Sequence, residues 1–245
     1  MVDLVLATDD TGGPEIFASL QGEGPSVGKP VAFIRLSRCN LACTWCDTAY
    51  TWRFEGDNRP HRDGLTFERR ANQVKLSPAE AAERIAATGQ TRLVITGGEP
   101  LMQGSALAEM LAHLPDIAVE VETNGTTKAP ARLDARIDQY NVSPKLAHSG
   151  NAAELALIPE RLAAYAADER AFFKFVIAQA SDVDEVLEIV SAHTVPASRV
   201  FLMAEGTTSE AQRERQAWLS GLALKHGFRM SDRLHIHLYG DTRGT

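Results

Sequence analysis

The chain has 245 residues, 44% of them hydrophobic, which is enough to bury a full core without covalent staples. Its 25 basic and 32 acidic residues give a formal charge of −7, which argues against a general nucleic-acid surface or a polybasic membrane anchor but permits a local basic pocket. No apolar run approaches the roughly 18–20 residues of a membrane span, and the opening MVDLVLATDDTGG carries acids where a signal peptide would carry Lys or Arg, so a cytoplasmic protein is expected.

In chain order, the first feature is SLQGEG (19–24), a polar glycine turn. VAFIRL (31–36) reads as a strand, and all three cysteines of the chain follow it directly. Residues 53–75 are polar and contain several Gly, Pro and Asn, which predicts an insertion or lid within a single domain spanning 1–245. Next comes a helix over 77–88, with Ser77 as N-cap and Pro78 at its first position. Strands are then predicted at 92–96, 118–122, 137–142, 172–177 and 199–203, with helices at 105–114, 153–167, 181–193 and 209–226. Most of these strands are apolar on both faces, as expected for βα units on a mostly parallel sheet. Six such units suit a doubly wound sheet or an incomplete (β/α) barrel, and both architectures carry their chemistry at the C-terminal ends of the strands. The tail RLHIHLYGDTRGT reads as an extended run with His235 and His237 on one face, which in isolation would suggest a metal pair.

Cys39, Cys43 and Cys46 cannot all pair as disulfides, and clustered thiols in a reducing compartment point to metal or catalysis more often than to cross-links. A structural zinc site would need a fourth ligand, for which His61 or another of the seven histidines is available. Three thiolates on an iron–sulfur cubane would instead leave one iron open to an exogenous ligand.

The spacing of three then two residues between these cysteines resembles the signature of the radical S-adenosylmethionine superfamily. In that superfamily the free iron chelates the amino and carboxylate groups of the methionine moiety, and reduction of the 4Fe–4S cluster splits the sulfonium to give a 5′-deoxyadenosyl radical. Trp45 occupies the aromatic position expected near the adenine, and Thr96-Gly97-Gly98-Glu99-Pro100 after a strand resembles the GGEP motif. Within the superfamily, SLQGEG, Phe33-Ile34-Arg35-Leu36, Cys46-Asp47-Thr48, Val121-Glu122-Thr123-Asn124-Gly125 and Ser143-Pro144-Lys145 together resemble the 7-carboxy-7-deazaguanine synthase family, in order from about Ile16 to the last residues.

The resemblance implies a single-domain, modified, incomplete (β/α)6 barrel. It also implies a carbon–nitrogen lyase of queuosine and deazapurine biosynthesis that converts 6-carboxy-5,6,7,8-tetrahydropterin to 7-carboxy-7-deazaguanine with loss of ammonia, regenerating S-adenosylmethionine each turnover. Cys39, Cys43 and Cys46 are then the cluster ligands and Thr48 the magnesium-binding hydroxyl. Trp45, Gly98, Glu99, Ser143, Pro144, Lys145 and the segment Leu202-Met203-Ala204-Glu205 are assigned to S-adenosylmethionine. Leu20, Gln21, Gly22, Arg35, Thr96, His235 and Thr245 are assigned to the substrate, with Arg35 facing its carboxylate. A homodimer and an electron donor such as flavodoxin or ferredoxin are further implications, with no nucleic-acid or membrane partner. A glycyl-radical-enzyme activase shares the cysteine spacing but gives no reason for SLQGEG or VETNG, and a non-catalytic zinc-binding module is the remaining reading.

Overall fold

The structure is a computed structural model that describes residues 2–245. Its elements run β1 (Leu4–Ala7), β2 (Ile16–Leu20), β3 (Pro30–Leu36), α1 (Arg69–Asn72), β4 (Gln73–Leu76), α2 (Pro78–Ala87), β5 (Arg92–Gly97), α3 (Gly104–Ala112), β6 (Ala118–Thr123) and α4 (Ala131–Asp134). They continue with β7 (Gln139–Val142), α5 (Ala153–Ala156), α6 (Pro159–Ala167), β8 (Ala171–Ile177), α7 (Asp182–His193), β9 (Val200–Ala204), α8 (Ser209–His226), β10 (Arg229–Ser231) and α9 (Leu234–Tyr239).

The strands form one sheet in the order β10-β9-β8-β7-β6-β5-β3-β1-β4, with β2 beside β3. From β3 through β5 to β9 the pairing is parallel throughout, so six βα units make an incomplete barrel, which is the expected fold class. The sheet ends at β10 and β4 instead of closing. β1 and β2 both run antiparallel to β3, β1 at Leu36 and β2 along residues 30–34.

Alternation along the strands decides which residues can reach a ligand. One face carries Ile34, Leu36, Leu93, Ile95, Val119, Val121, Tyr140, Phe173, Phe175 and Leu202 into the main core beneath the helices. Full burial of a side chain of this kind contributes roughly 1.5–3 kcal/mol. The intervening positions, Arg35, Thr96, Glu122, Asn141, Lys174 and Met203 among them, line a cavity on the opposite face. The expectation of strands apolar on both faces therefore fails for β6 and β7, whose alternate positions are polar, and at the single position Lys174 in β8.

Other differences have local causes. Ser77 does cap α2, in a full capping box with Glu80. The single helix expected over 153–167 is broken into α5 and α6, because Pro159 cannot donate to a continuing helix and instead opens the second one. The polar stretch 53–75 ends inside the sheet, where β4 pairs residue by residue with β1. The tail is not extended: residues 234–239 form α9, which turns His235 and His237 to different surroundings. His237 contacts Ser209 and Asp232 at 2.9 and 3.1 Å, so the two histidines are no metal pair.

Candidate active site

The cavity occupies about 410 Å3 at the C-terminal ends of the strands, as the barrel reading requires. The cysteine loop leaves β3 at Leu36, whose register partner on β5 is Gly97. Arg38 adopts the left-handed φ of 79° and donates its N–H to the Thr51 carbonyl at 2.7 Å, turning the chain toward Cys39. The glycine turn lies directly on this loop: Gly98 N–H donates to Leu36 O at 3.0 Å and Glu99 N–H to Arg38 O at 2.9 Å. A Cβ at Gly97 would sit 2.0 Å from the Leu36 carbonyl, and one at Gly98 would sit 2.1 Å from that of Arg38. Both glycines are required by close approach of the two loops' backbones, while Gly98 also lines the cavity.

All three cysteines are free and line the cavity. Each sulfur has an N–H aimed at it: Leu41 N to Cys39 at 3.4 Å, Asn151 Nδ2 to Cys43 at 3.3 Å, and Trp52 Nε1 to Cys46 at 3.3 Å. Such donors stabilise sulfur that carries negative charge. Burial works the other way, pushing Cys39 up to about 12 and Cys46 up to about 11, and raising Cys43 as well. Partly to fully buried thiols with thiolate-directed donors fit a positively charged iron–sulfur group that would bind them deprotonated. His61, the candidate fourth zinc ligand, donates Nε2–H to the Cys46 backbone carbonyl at 2.9 Å. Among the described residues, no three His, Cys, Asp or Glu side chains are arranged around one ion.

Trp45 stacks on His148 at 5.5 Å between centroids, and its indole N–H is buried without a partner. Lys145 lies 5.7 Å from the same ring's centroid and donates to Ser143 Oγ at 2.8 Å. Thr48 Oγ1 is 3.6 Å from the Cys46 sulfur. Farther along the cavity wall, Gln21 Nε2 donates to Glu120 and Glu122 at 2.8 and 3.2 Å, and Thr96 Oγ1 donates to Glu122 at 2.7 Å. Leu20 and Thr245 also line the cavity. Arg35 does too, but its Nε already donates to buried Glu15 at 2.7 Å, so the pair presents free N–H groups more than net charge.

The tail closes one side. Leu234 N–H donates to Gly22 O at 3.0 Å, and the His235 ring packs so tightly on Gly22 that a Cβ there would lie 2.1 Å from Nδ1. Gly22→Ala is expected to push His235 out of place and raise KM for the substrate about tenfold, equivalent to roughly 1.4 kcal/mol, with little change in kcat. Steady-state kinetics checks this.

Five assigned residues do not line the cavity. Leu202 and Ala204 belong to β9 itself and face the core, as alternation dictates, leaving only Met203 of that segment toward the cavity. Glu205 lies outside, paired with Arg62 and Arg215. Pro144 is buried between Ser143 and Lys145, both of which line the cavity. Glu99 is fully buried and accepts from Thr123 Oγ1, Asn124 N and Leu101 N at 2.8–3.1 Å, which makes it a brace between the loops after β5 and β6. Burial raises its carboxyl from 4.5 to about 7, against those donors. Between pH 4.5 and about 7 the folded chain therefore keeps a proton that the unfolded chain has released, and stability falls as pH rises through that window. The loss is on the order of 3 kcal/mol. Glu99→Gln should remove this slope, checked by urea unfolding of cluster-free protein at pH 5 and 7.5.

Sequence reasoning missed Glu23, Asp47, Glu122, Asn141 and Arg233 as cavity residues and left Lys174 without a role. Polar residues at alternate positions of AVEVE, QYNV and FFKFVI were the available signal for the three on strands. Lys174 pairs with Glu23, which Lys174 and Arg233 hold ionised against the cost of burial.

Residues 33–149 match the model of the radical SAM superfamily. A curated 7-carboxy-7-deazaguanine synthase of Pyrobaculum aerophilum is 38% identical over 235 residues, covering 94% of this chain and 95% of that protein. The chain belongs to the 7-carboxy-7-deazaguanine synthase family. A second curated synthase, from Hyperthermus butylicus, is 35% identical and covers 91% of this chain and 90% of its own length. The crystal structure of QueE from Escherichia coli covers 95% of both chains with a TM-score of 0.66 at 24% identity, which agrees with the fold. The synthase family are lyases of the radical SAM type, which use a 4Fe–4S cluster and S-adenosylmethionine.

Proposed function

We propose that the chain converts 6-carboxy-5,6,7,8-tetrahydropterin to 7-carboxy-7-deazaguanine with release of ammonia, the product being the one that its relatives' names give for them. The observation that carries the reading is one loop of three thiols, Cys43 buried and Cys39 and Cys46 partly so, each with an N–H donor, opening on a cavity with polar residues along its strands. Cys39, Cys43 and Cys46 would hold the cluster, which with S-adenosylmethionine supplies a 5′-deoxyadenosyl radical able to take hydrogen from pterin C6. Trp45, the Gly98 backbone, Ser143, Lys145 and Met203 border the space for the methionine and adenosine parts.

Gln21, Thr96 and Glu122 form a hydrogen-bonded group suited to a pterin edge, and the free N–H groups of Arg35 suit its carboxylate. Their contribution is orientation, together with exclusion of water by the tail. Thr48 fits a magnesium ion that keeps most of its waters and takes the substrate carboxylate as a further ligand. A low-potential flavodoxin or ferredoxin as reductant, a cytoplasmic location and a homodimer complete the reading. Exposed Leu224, Leu238 and Tyr239 leave apolar surface for a second copy, and no helix of the described residues is long and apolar enough to cross a membrane.

Anaerobic reconstitution should give a brown protein with about four irons and four sulfides per chain. Ammonia should then appear only when the carboxytetrahydropterin and reductant are both present. Stoichiometric zinc in a colourless protein would overturn the reading, and so would a loaded cluster with no pterin-dependent ammonia, which would favour an activase.

A further inference from the structure

Arg233 lies between β10 and α9 and is 7% exposed. Its guanidinium reaches three separate loops. Nε donates to Glu23 Oε1 at 3.1 Å in the turn after β2, NH1 donates to the Gly206 carbonyl at 2.7 Å in the loop after β9, and NH2 donates to Asp47. Asp47 directly follows Cys46, and Glu23 directly follows Gly22, on which His235 packs. The second oxygen of Glu23 takes the Lys174 ammonium from β8. The result is an alternating chain of Lys174, Glu23, Arg233 and Asp47, whose two positive and two negative charges cancel.

A buried charge is retained only when its partners are in place, and removing one leaves the others unpaired in a poorly solvated site. The guanidinium of Arg233 therefore cannot follow the tail away from the cavity without stranding Glu23, whose side chain is 12% exposed, and it would at the same time release the more exposed Asp47. Ser231 Oγ, two residues earlier, also accepts the Gly24 N–H at 2.7 Å, so the tail and the substrate turn are held at two further points by neutral bonds. Among the described residues, Arg233 makes the tail's hydrogen bond to the residue after Cys46, while Arg243 lies over Tyr50 farther along the same segment.

We propose that Arg233 is a positioning residue that couples closure of the tail over the substrate turn to the placement of the Cys46–Thr48 segment. The consequence for the reaction rests on the function proposed above, whereas the mechanical coupling does not. With the tail seated, Asp47 is drawn toward the cavity wall and the last cysteine of the loop is fixed. With Arg233 removed, both segments loosen together, and radical generation is no longer tied to correct seating of the substrate.

The test uses the reconstituted protein and Arg233→Gln, which keeps a polar side chain of intermediate length but no charge. Hydrogen exchange followed by mass spectrometry should show faster exchange in 43–48 and in 231–245 together, at least about fivefold in each. Under turnover, the ratio of free 5′-deoxyadenosine to deazaguanine product should rise about tenfold, because a cofactor that is normally regenerated would be lost to uncoupled cleavage. A general loss of folded enzyme lowers both products equally and leaves that ratio unchanged.

Arg233→Lys should restore the ratio partly, since one ammonium can keep one of the two carboxylates. Should Arg233→Gln not fold, Asp47→Asn breaks the same contact from the other end, and the tail should then exchange faster. Exchange that rises only in 231–245, or an unchanged ratio of the two products, would overturn the coupling. A wild-type protein that makes no deazaguanine would contradict the proposed function while leaving the exchange result to decide the coupling.

Discussion

Cys43→Ser is expected to lower the iron bound after reconstitution by more than half and to reduce product formation by about 10³-fold or more, equivalent to roughly 4 kcal/mol of lost transition-state stabilisation. The serine oxygen can still accept the Asn151 N–H that now reaches the sulfur at 3.3 Å, so the loop keeps its local bond. What it loses is a soft, polarisable thiolate, and a hydroxyl near neutral pH is no substitute on iron. Iron analysis together with thermal unfolding separates the two effects. The melting temperature of the cluster-free variant should stay within a few degrees of wild type, because a near-isosteric replacement at one buried position costs on the order of 1 kcal/mol. Full iron and full activity in this variant would remove Cys43 from the ligand set.

Gly97→Ala should have the largest effect on stability. The added Cβ would lie 2.0 Å from the Leu36 carbonyl oxygen and 2.4 Å from its nitrogen, both backbone atoms of a strand held in register. A rotamer change cannot relieve such contacts, and φ at this position is +132°, which side-chain-bearing residues rarely adopt. A destabilisation of about 4 kcal/mol and a fall of roughly 10 °C in melting temperature are expected. Gly64→Ala makes a suitable control. Its φ is +64°, but nothing lies within 4 Å of the new methyl group, so its cost should be limited to about 1 kcal/mol of backbone preference. Differential scanning calorimetry reads both, and a Gly97→Ala melting temperature within 3 °C of wild type, about 1 kcal/mol, would contradict the backbone-contact account.

The six parallel strands were legible because each carries β-branched or aromatic residues, and all but β6 precede a helix that the sequence also predicts. β1, β2, β4 and β10 were not. They have three to five residues each: QVKL of β4 alternates for only four residues at the end of a polar stretch, and RMS of β10 is too short to show any period. α9 was hidden for a related reason: LHIHLY alternates like a strand, and only its docking against the Gly22 turn and Asp232 decides otherwise.

The site was legible where chemistry is local. Three cysteines, two glycines and a tryptophan lie in short segments whose letters alone announce them. The charge chain was illegible because its members stand at 23, 47, 174 and 233, and each by itself reads as an ordinary surface charge. Glu99 shows the complementary failure. Its letter fits the motif, but a carboxylate after two glycines can turn toward the cavity or toward the neighbouring loop, and the N–H groups of Leu101 and Asn124 draw it to the loop.

On the proposed function, this loop of three thiols and the polar residues along the strands beside it serve one reaction on one pterin. The most direct test is mass spectrometry of the anaerobically reconstituted protein incubated with 6-carboxy-5,6,7,8-tetrahydropterin, S-adenosylmethionine, magnesium and a low-potential reductant. The expected product is 7-carboxy-7-deazaguanine, about seventeen mass units lighter than the substrate after loss of one ammonia per turnover, in many-fold excess over 5′-deoxyadenosine. Unchanged pterin in the presence of a fully loaded cluster, with deoxyadenosine as the sole product, would contradict it.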